Sequence, residues 1–277
     1  MWYRYYYLIN KRVFIIYSEQ IKLHDDSSYE GMRAVGKLAA ELLDLFVCEV
    51  KPGITTNFLD SFAYDFILDN KAIPAPLNYR GFTKSICTSV NHVICHGIPG
   101  DRILDEGDIV NIDVTLILDG WHGDTSRMYC PGNPSVKARN LINNTYESMM
   151  KGIDSVKPGL KLGDLGFVIQ ENAEKNNYSV VREFCGHGLG KVFHDEPNIL
   201  HYGIKDTGVE LKKGMFFTIE PMLNIGKPDS KILSDGWTAV TRDRSLSAQF
   251  EHSVGVTKNG VEIFTKSLNN SGNPINA

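Results

Sequence analysis

The sequence predicts an α/β fold made of two related halves, and three observations carry that prediction. Val156-Lys157-Pro158-Gly159 repeats Val50-Lys51-Pro52-Gly53 at an offset of 106. Gly214-Met215-Phe216-Phe217-Thr218-Ile219-Glu220 echoes Gly107-Asp108-Ile109-Val110-Asn111-Ile112-Asp113 at an offset of 107. Both copies have a helical pattern before the Pro-Gly and another after it, and both end in an apolar strand closing on a carboxylate. Two matches at nearly one offset, in one order of elements, indicate an internal duplication; a solenoid would repeat every 20–50 residues or so. Each half supplies strands to a shared sheet, so the seam between halves is the natural place for a site.

In chain order, Trp2, Tyr3, Tyr5, Tyr6, Tyr7, Phe14 and Tyr17 come first, interleaved with Arg4, Lys11 and Arg12. Lys11-Arg12 breaks the only apolar run that could serve as a signal peptide. Residues 1–20 are therefore read as an extension of unknown role, loosely packed or lying upstream of the true start. The first firm element is a helix over about residues 29–48. There Met32, Val35, Leu38, Ala39, Leu42, Leu43 and Phe46 recur at three- and four-residue spacing, with Glu30, Arg33, Lys37, Glu41 and Asp44 largely opposite. Pro52-Gly53 stops it, and a second helix covers about 57–69. Strand patterns follow at 85–90 and 109–118, and Asp119-Gly120 signals a tight hairpin turn. A single domain is expected over 21–265, with halves of about 29–135 and 136–265 and a tail at 266–277.

The composition excludes several classes. The net charge is −4, far from the basic balance of a nucleic-acid binder. No run of about 18 apolar residues exists to span a membrane. With 277 residues, 42% of them hydrophobic, the chain can bury a large core without disulfides. Its five cysteines, Cys48, Cys87, Cys95, Cys130 and Cys185, are scattered with no C-x-x-C pair. That usage excludes a Cys-rich zinc cluster and points to a reduced cytoplasm.

The chemistry lies in carboxylates set in apolar strands. With Asp119-Gly120 as the turn, facing positions in the hairpin sum to 239, so Asp113 faces Ser126 and Asp124 lies on the same face. The two Asp residues are then diagonal neighbours about 7–8 Å apart at the backbone. Taken alone, such a pair also suits a solvated sheet face. Asp113, however, is framed by Val110, Ile112, Val114 and Leu116, where an ionised carboxylate is costly unless paired or metal-bound. Glu220, after Met215–Ile219, and Glu251, within 248–254, have similar settings. Four carboxylates sharing one site would repel until some stayed protonated, and two dications would cancel that charge. Gly186-His187-Gly188-Leu189-Gly190 could hold an imidazole close by, although a lone His in a Gly-rich loop, like His96, is more often structural. The G-x-x-x-x-G-K-[ST] spacing of a phosphate loop is missing. One His with two Asp and two Glu suits Mn²⁺, Fe²⁺, Co²⁺ or Zn²⁺. Two such ions could hold a bridging hydroxide and polarise a carbonyl, which is metal-assisted hydrolysis.

Six segments together strongly resemble type I methionine aminopeptidases: Cys95–Pro99, Asn111–Thr115, His122–Ser126, Gly186–Gly190 with Phe193-His194, Phe217–Met222 and Gln249–His252. The likeness covers roughly residues 20–265. It implies the pita-bread fold, a pseudo-twofold duplication with an antiparallel-rich curved sheet flanked by helices, and removal of the initiator methionine when the second residue is small. It further implies that Asp113, Asp124, His187, Glu220 and Glu251 hold two divalent cations. In that arrangement Asp124 and Glu251 bridge both ions, Asp113 holds one, and His187 with Glu220 holds the other. Glu220 would be the general base, with His96 and His194 touching substrate and stabilising the tetrahedral intermediate. Tyr79, Phe82, Cys87, Phe193 and Trp237 fall at the family's methionine-pocket positions. Phe82 stands where Tyr is common, and Pro76 where some members carry Cys. With no Cys/His zinc module ahead of the helices and no large insertion among the later motifs, the short bacterial or organellar form is expected. The implied partner is a nascent polypeptide N-terminus near the ribosome, met by a monomer that engages neither nucleic acid nor membrane. An X-Pro peptidase of the same fold, or a binding module without metal, are the other readings.

Overall fold

The structure, a computed structural model, describes residues 21–269. The readings made for residues 1–20 and for most of the tail lie outside the described residues. The first half contains α1 (Asp26–Glu49), α2 (Thr56–Asp69), β1 (Ile73–Pro74), β2 (Cys87–Val90), β3 (Val93–Cys95), β4 (Val110–Leu118) and β5 (Trp121–Tyr129). The second contains α3 (Val136–Ser155), α4 (Leu162–Lys175), β6 (Ser179–Val180), β7 (Gly186–Gly188), β8 (Asp195–Ile199), β9 (Phe216–Ile219) and β10 (Met222–Asn224). It is completed by β11 (Ser230–Ile232), β12 (Ala239–Thr241), β13 (Ser247–Gln249), β14 (Glu251–Val256) and β15 (Val261–Ile263).

Local chemistry sets the helix ends. The α1 helix starts three residues earlier than its apolar pattern suggests, because Asp25 caps it: Oδ1 accepts the Ser28 N–H at 2.9 Å and the Ser27 and Ser28 hydroxyls. Thr55 caps α2 and Ser135 caps α3 in the same way. The predicted hairpin turn is present. Asp119 and Gly120 both have positive φ, 51° and 79°, as a type I′ turn requires, and the pairing runs without a bulge from Leu118↔Trp121 to Val110↔Tyr129.

The duplication recurs in three dimensions. Adding 106 to the residues of α2 gives α4, and adding 106 to those of β1 gives β6. The isolated bridge Thr55↔Ile103 has its counterpart in Lys161↔Glu210. Pro74↔Leu116 in the first half corresponds to Val180↔Leu223 in the second.

Among the described residues the strands pair antiparallel. The main sheet runs β1-β4-β5-β14-β9-β7-β8, with β2 also on β4 and β15 on β14; smaller sheets run β13-β10-β6 and β11-β12-β3. Strand periodicity separates its two faces. Val110, Ile112, Val114 and Leu116 join Met32, Val35, Leu42, Phe46 and Leu59 in one core beneath α1 and α2. Phe217 and Ile219 join Leu141, Met149, Ile153, Leu165 and Ile169 in a second beneath α3 and α4. The alternate positions, Asp113 and Thr115 on one strand and Thr218 on the other, point away from the helices onto the inner face. Among the described residues no helix is long and apolar enough to cross a membrane.

Candidate metal centre and substrate pocket

One row of the sheet brings the carboxylates together. Asp113 pairs with Ser126, and Ser126 pairs on its other side with Glu251. Directly paired residues share a face, and Asp124 is two residues from Ser126, so three carboxylates line the inner face. Ile219↔His252 and Met222↔Gln249 belong to one register. That ladder is interrupted only where Glu220-Pro221 stands opposite Phe250-Glu251, which brings Glu220 beside Glu251. Parity sends His252 to the opposite face, where its Nδ1 lies 2.9 Å from the Thr265 hydroxyl.

Asp124, His187 and Glu251 each offer a ligand atom, all within 4.8 Å of one another. Nε2 of His187 is 3.5 Å from Asp124 Oδ2 and 3.8 Å from Glu220 Oε1. Its Nδ1 lies 3.0 Å from the carbonyl of Gly188 and donates there, so in the neutral imidazole the lone pair is on Nε2, facing the carboxylates. The strand carrying it packs so closely that a Cβ on Gly186 would meet the Thr218 carbonyl at 2.4 Å. Thr115 Oγ1 donates to Asp124 at 2.7 Å; Thr218 Oγ1 donates to Glu220 at 2.7 Å and accepts the His187 N–H. Gln249 donates to the second oxygen of Glu220 at 3.3 Å.

Burial and mutual repulsion govern the charges. Burial first, and then neighbouring carboxylates, push Asp113 and Glu251 well above the usual carboxylate range. Burial raises Glu220 to about 7. It pulls His187 downward, but Asp124 and Glu220 outweigh it and leave the imidazole raised. Burial lowers His96 to about 4, and burial with the adjacent His187 lowers His194 to about 3, so both are neutral at pH 7. Four crowded acids and one imidazole whose Nε2 faces them form a hard-to-borderline donor set, which two dications would relieve of its repulsion. The residues present fit divalent metal.

The remaining sequence-predicted residues gather around this cluster. His194 lies 4.3 Å from His187 between ring centroids and 5.2 Å from Tyr79, which is 5.0 Å from Phe193. Phe82 meets Trp237 edge to face at 5.2 Å, and Trp237 meets His96 at 6.1 Å. Cys87 pairs with Asp113 and is buried beside it. Sequence reasoning did not single out Phe184, which packs on His96 at 5.5 Å, or His122, which stacks on Phe193 at 5.5 Å. It also passed over Thr218, Gln249 and His201. Thr218 and Gln249 sit inside motifs already quoted and could have been found by strand parity, whereas His201 has no local signal.

Residues 30–258 match metallopeptidase family M24, and the chain belongs to that family, which works with divalent metal. The chain is 63% identical over 249 residues to a methionine aminopeptidase of Rickettsia prowazekii, covering 89% of this chain and 96% of that protein. It is 50% identical over 247 residues to a methionine aminopeptidase of Escherichia coli strain K12, covering 88% and 94%. The crystal structure of the methionine aminopeptidase from Rickettsia prowazekii superposes with a TM-score of 0.88 at 62% identity, covering 89% of this chain and all of that one. The fold is therefore the pita-bread fold.

Proposed function

We propose that the chain is a metal-dependent aminopeptidase that removes the N-terminal methionine of nascent polypeptides whose second residue is small. The observation that carries this reading is the juxtaposition of four carboxylates and His187 on one sheet face with a pocket of neutral histidines and aromatic rings. Asp113, Asp124, His187, Glu220 and Glu251 would hold two divalent cations, Mn²⁺, Fe²⁺, Co²⁺ or Zn²⁺. Bound there, such ions supply Lewis acidity that polarises a carbonyl and acidifies water.

The chain's own residues do the rest. Glu220, its two carboxylate oxygens held by Thr218 and Gln249, would take a proton from the attacking water and return it to the leaving amine. His96 and His194 are neutral and can donate hydrogen bonds to the oxyanion that develops on the scissile carbonyl. Tyr79, Phe82, Cys87, Phe193 and Trp237 enclose an unbranched apolar side chain and exclude water. A free α-amino group would bind at the loaded cluster beside the pocket, which confines cleavage to the first residue. Residues 21–265 act as one catalytic unit of two halves, working as a monomer in the cytoplasm near the ribosome.

The test is release of free methionine from Met-Ala-Ser by the full chain with Mn²⁺ or Co²⁺. No turnover with any divalent ion would overturn the proposal. Preference for an Ala-Pro peptide would redirect it to an X-Pro peptidase.

A further inference from the structure

We propose that His201 is a positioning residue for Glu220, fixing the main chain at residue 220 by accepting its amide hydrogen; this rests on the reading of Glu220 as a metal-holding base. Glu220 occupies the one interruption in the ladder between the β9–β10 and β13–β14 segments. The next residue, Pro221, has no N–H to donate. In the first half the corresponding residue, Asp113, is paired on both sides, with Cys87 on β2 and Ser126 on β5. Glu220 has no such strand partner for its amide. Instead its N–H donates to Nε2 of His201 at 3.0 Å.

His201 follows β8 and is 1% exposed. Water cannot readily replace a side chain so enclosed, and a buried amide left without an acceptor is costly. The imidazole therefore stands in for a missing strand. With the Glu220 main chain anchored, Thr218 and Gln249 each fix one carboxylate oxygen, so both are held relative to Asp124 and His187. Displacing a reacting group by about 1 Å can cost roughly 100-fold in rate. Losing the His201 acceptor frees the one anchor that none of the other contacts replaces.

The experiment compares His201→Leu, which lacks an acceptor, with His201→Gln, whose side-chain carbonyl reaches the same place. For the metal-loaded full chain, kcat and KM on Met-Ala-Ser are measured with Mn²⁺ affinity by calorimetry, thermal stability, and hydrogen exchange at the Glu220 amide. The Leu variant should lose at least about ten-fold in kcat with KM changed less than about two-fold. Its Mn²⁺ affinity should weaken and its Glu220 amide should exchange faster, while the Gln variant recovers most of both. A folded Leu variant with parental kcat and Mn²⁺ affinity would overturn the proposal, as would a Gln variant no better than Leu. Should the Leu variant fail to fold, the Gln variant decides: near-parental kcat sustains the proposal and a ten-fold loss defeats it. If the parent itself releases no methionine, the functional reading fails, while Mn²⁺ affinity and Glu220 exchange still test the positioning role.

Discussion

Asp113 and Glu251, 138 positions apart in the sequence, both pair with Ser126, one from each side of β5. That arrangement puts two buried acids on one face with a single hydroxyl residue between them. Burial on that face, and then the nearby carboxylates of Asp124 and Glu220, hold both well above the usual carboxylate range. Crowded on one face, these carboxylates repel one another, a cost that a bound cation would relieve.

Glu220→Gln should separate catalysis from folding. Removing the proton acceptor is expected to lower methionine release from Met-Ala-Ser by at least about 100-fold, the usual range for a general base. Circular dichroism should be unchanged. A variant with more than about a tenth of parental turnover would refute the role assigned to Glu220.

Stability of the chelated protein should depend on pH through Glu220. Its folded pKa of about 7 lies above the ordinary 4.5, so folding favours the protonated form. The contribution is complete below pH 4.5 and is lost as pH rises through 7. By pH 8 the loss amounts to about 3 kcal/mol. His96 and His194 shift the opposite way, with folded values below 6.5, so the comparison is parent against Glu220→Gln. The melting temperature of the variant should rise relative to the parent between pH 5 and 8 in chelator, and saturating Mn²⁺ should erase the gap. A gap independent of pH would contradict the assignment.

Arg127 and Asp44 form an ion pair at 2.9 Å with both side chains only 4% exposed, and Asp44 also holds the Ser267 hydroxyl and the Leu268 N–H. Asp44→Ala leaves the guanidinium buried without its partner and should cost about 3–5 kcal/mol in urea denaturation. Adding Arg127→Met should recover part of the loss. A cost under about 1 kcal/mol would mean that the pair is not the anchor between α1 and the sheet.

Phe82→Ala opens the wall that Phe82 and Trp237 form beside His96. Methionine side-chain contacts of this kind are worth about 1–3 kcal/mol, so kcat/KM on Met-Ala-Ser should fall roughly 10–200-fold. The loss should sit mainly in KM, read from steady-state kinetics. A loss confined to kcat would move Phe82 out of the side-chain pocket.

The sequence by itself determined what is local. Three- and four-residue periodicity identified α1, while Asp119-Gly120, with both residues at positive φ, set the register of β4 on β5 and hence the shared face of Asp113 and Asp124. The offsets of 106 and 107 marked the duplication, because a repeated fold keeps its turn glycines. The six motifs named the donor types through a resemblance. Only the tertiary structure decided which strand lies next to which. Placing β14 between β5 and β9 is a long-range choice, made by the two cores beneath the helices, and no local pattern encodes it. That choice brings Glu251 to Ser126, His187 to Asp124, and the imidazole of His201 to an amide 19 positions away. Side-chain parity is written along one strand, but the neighbour across the gap is chosen by packing.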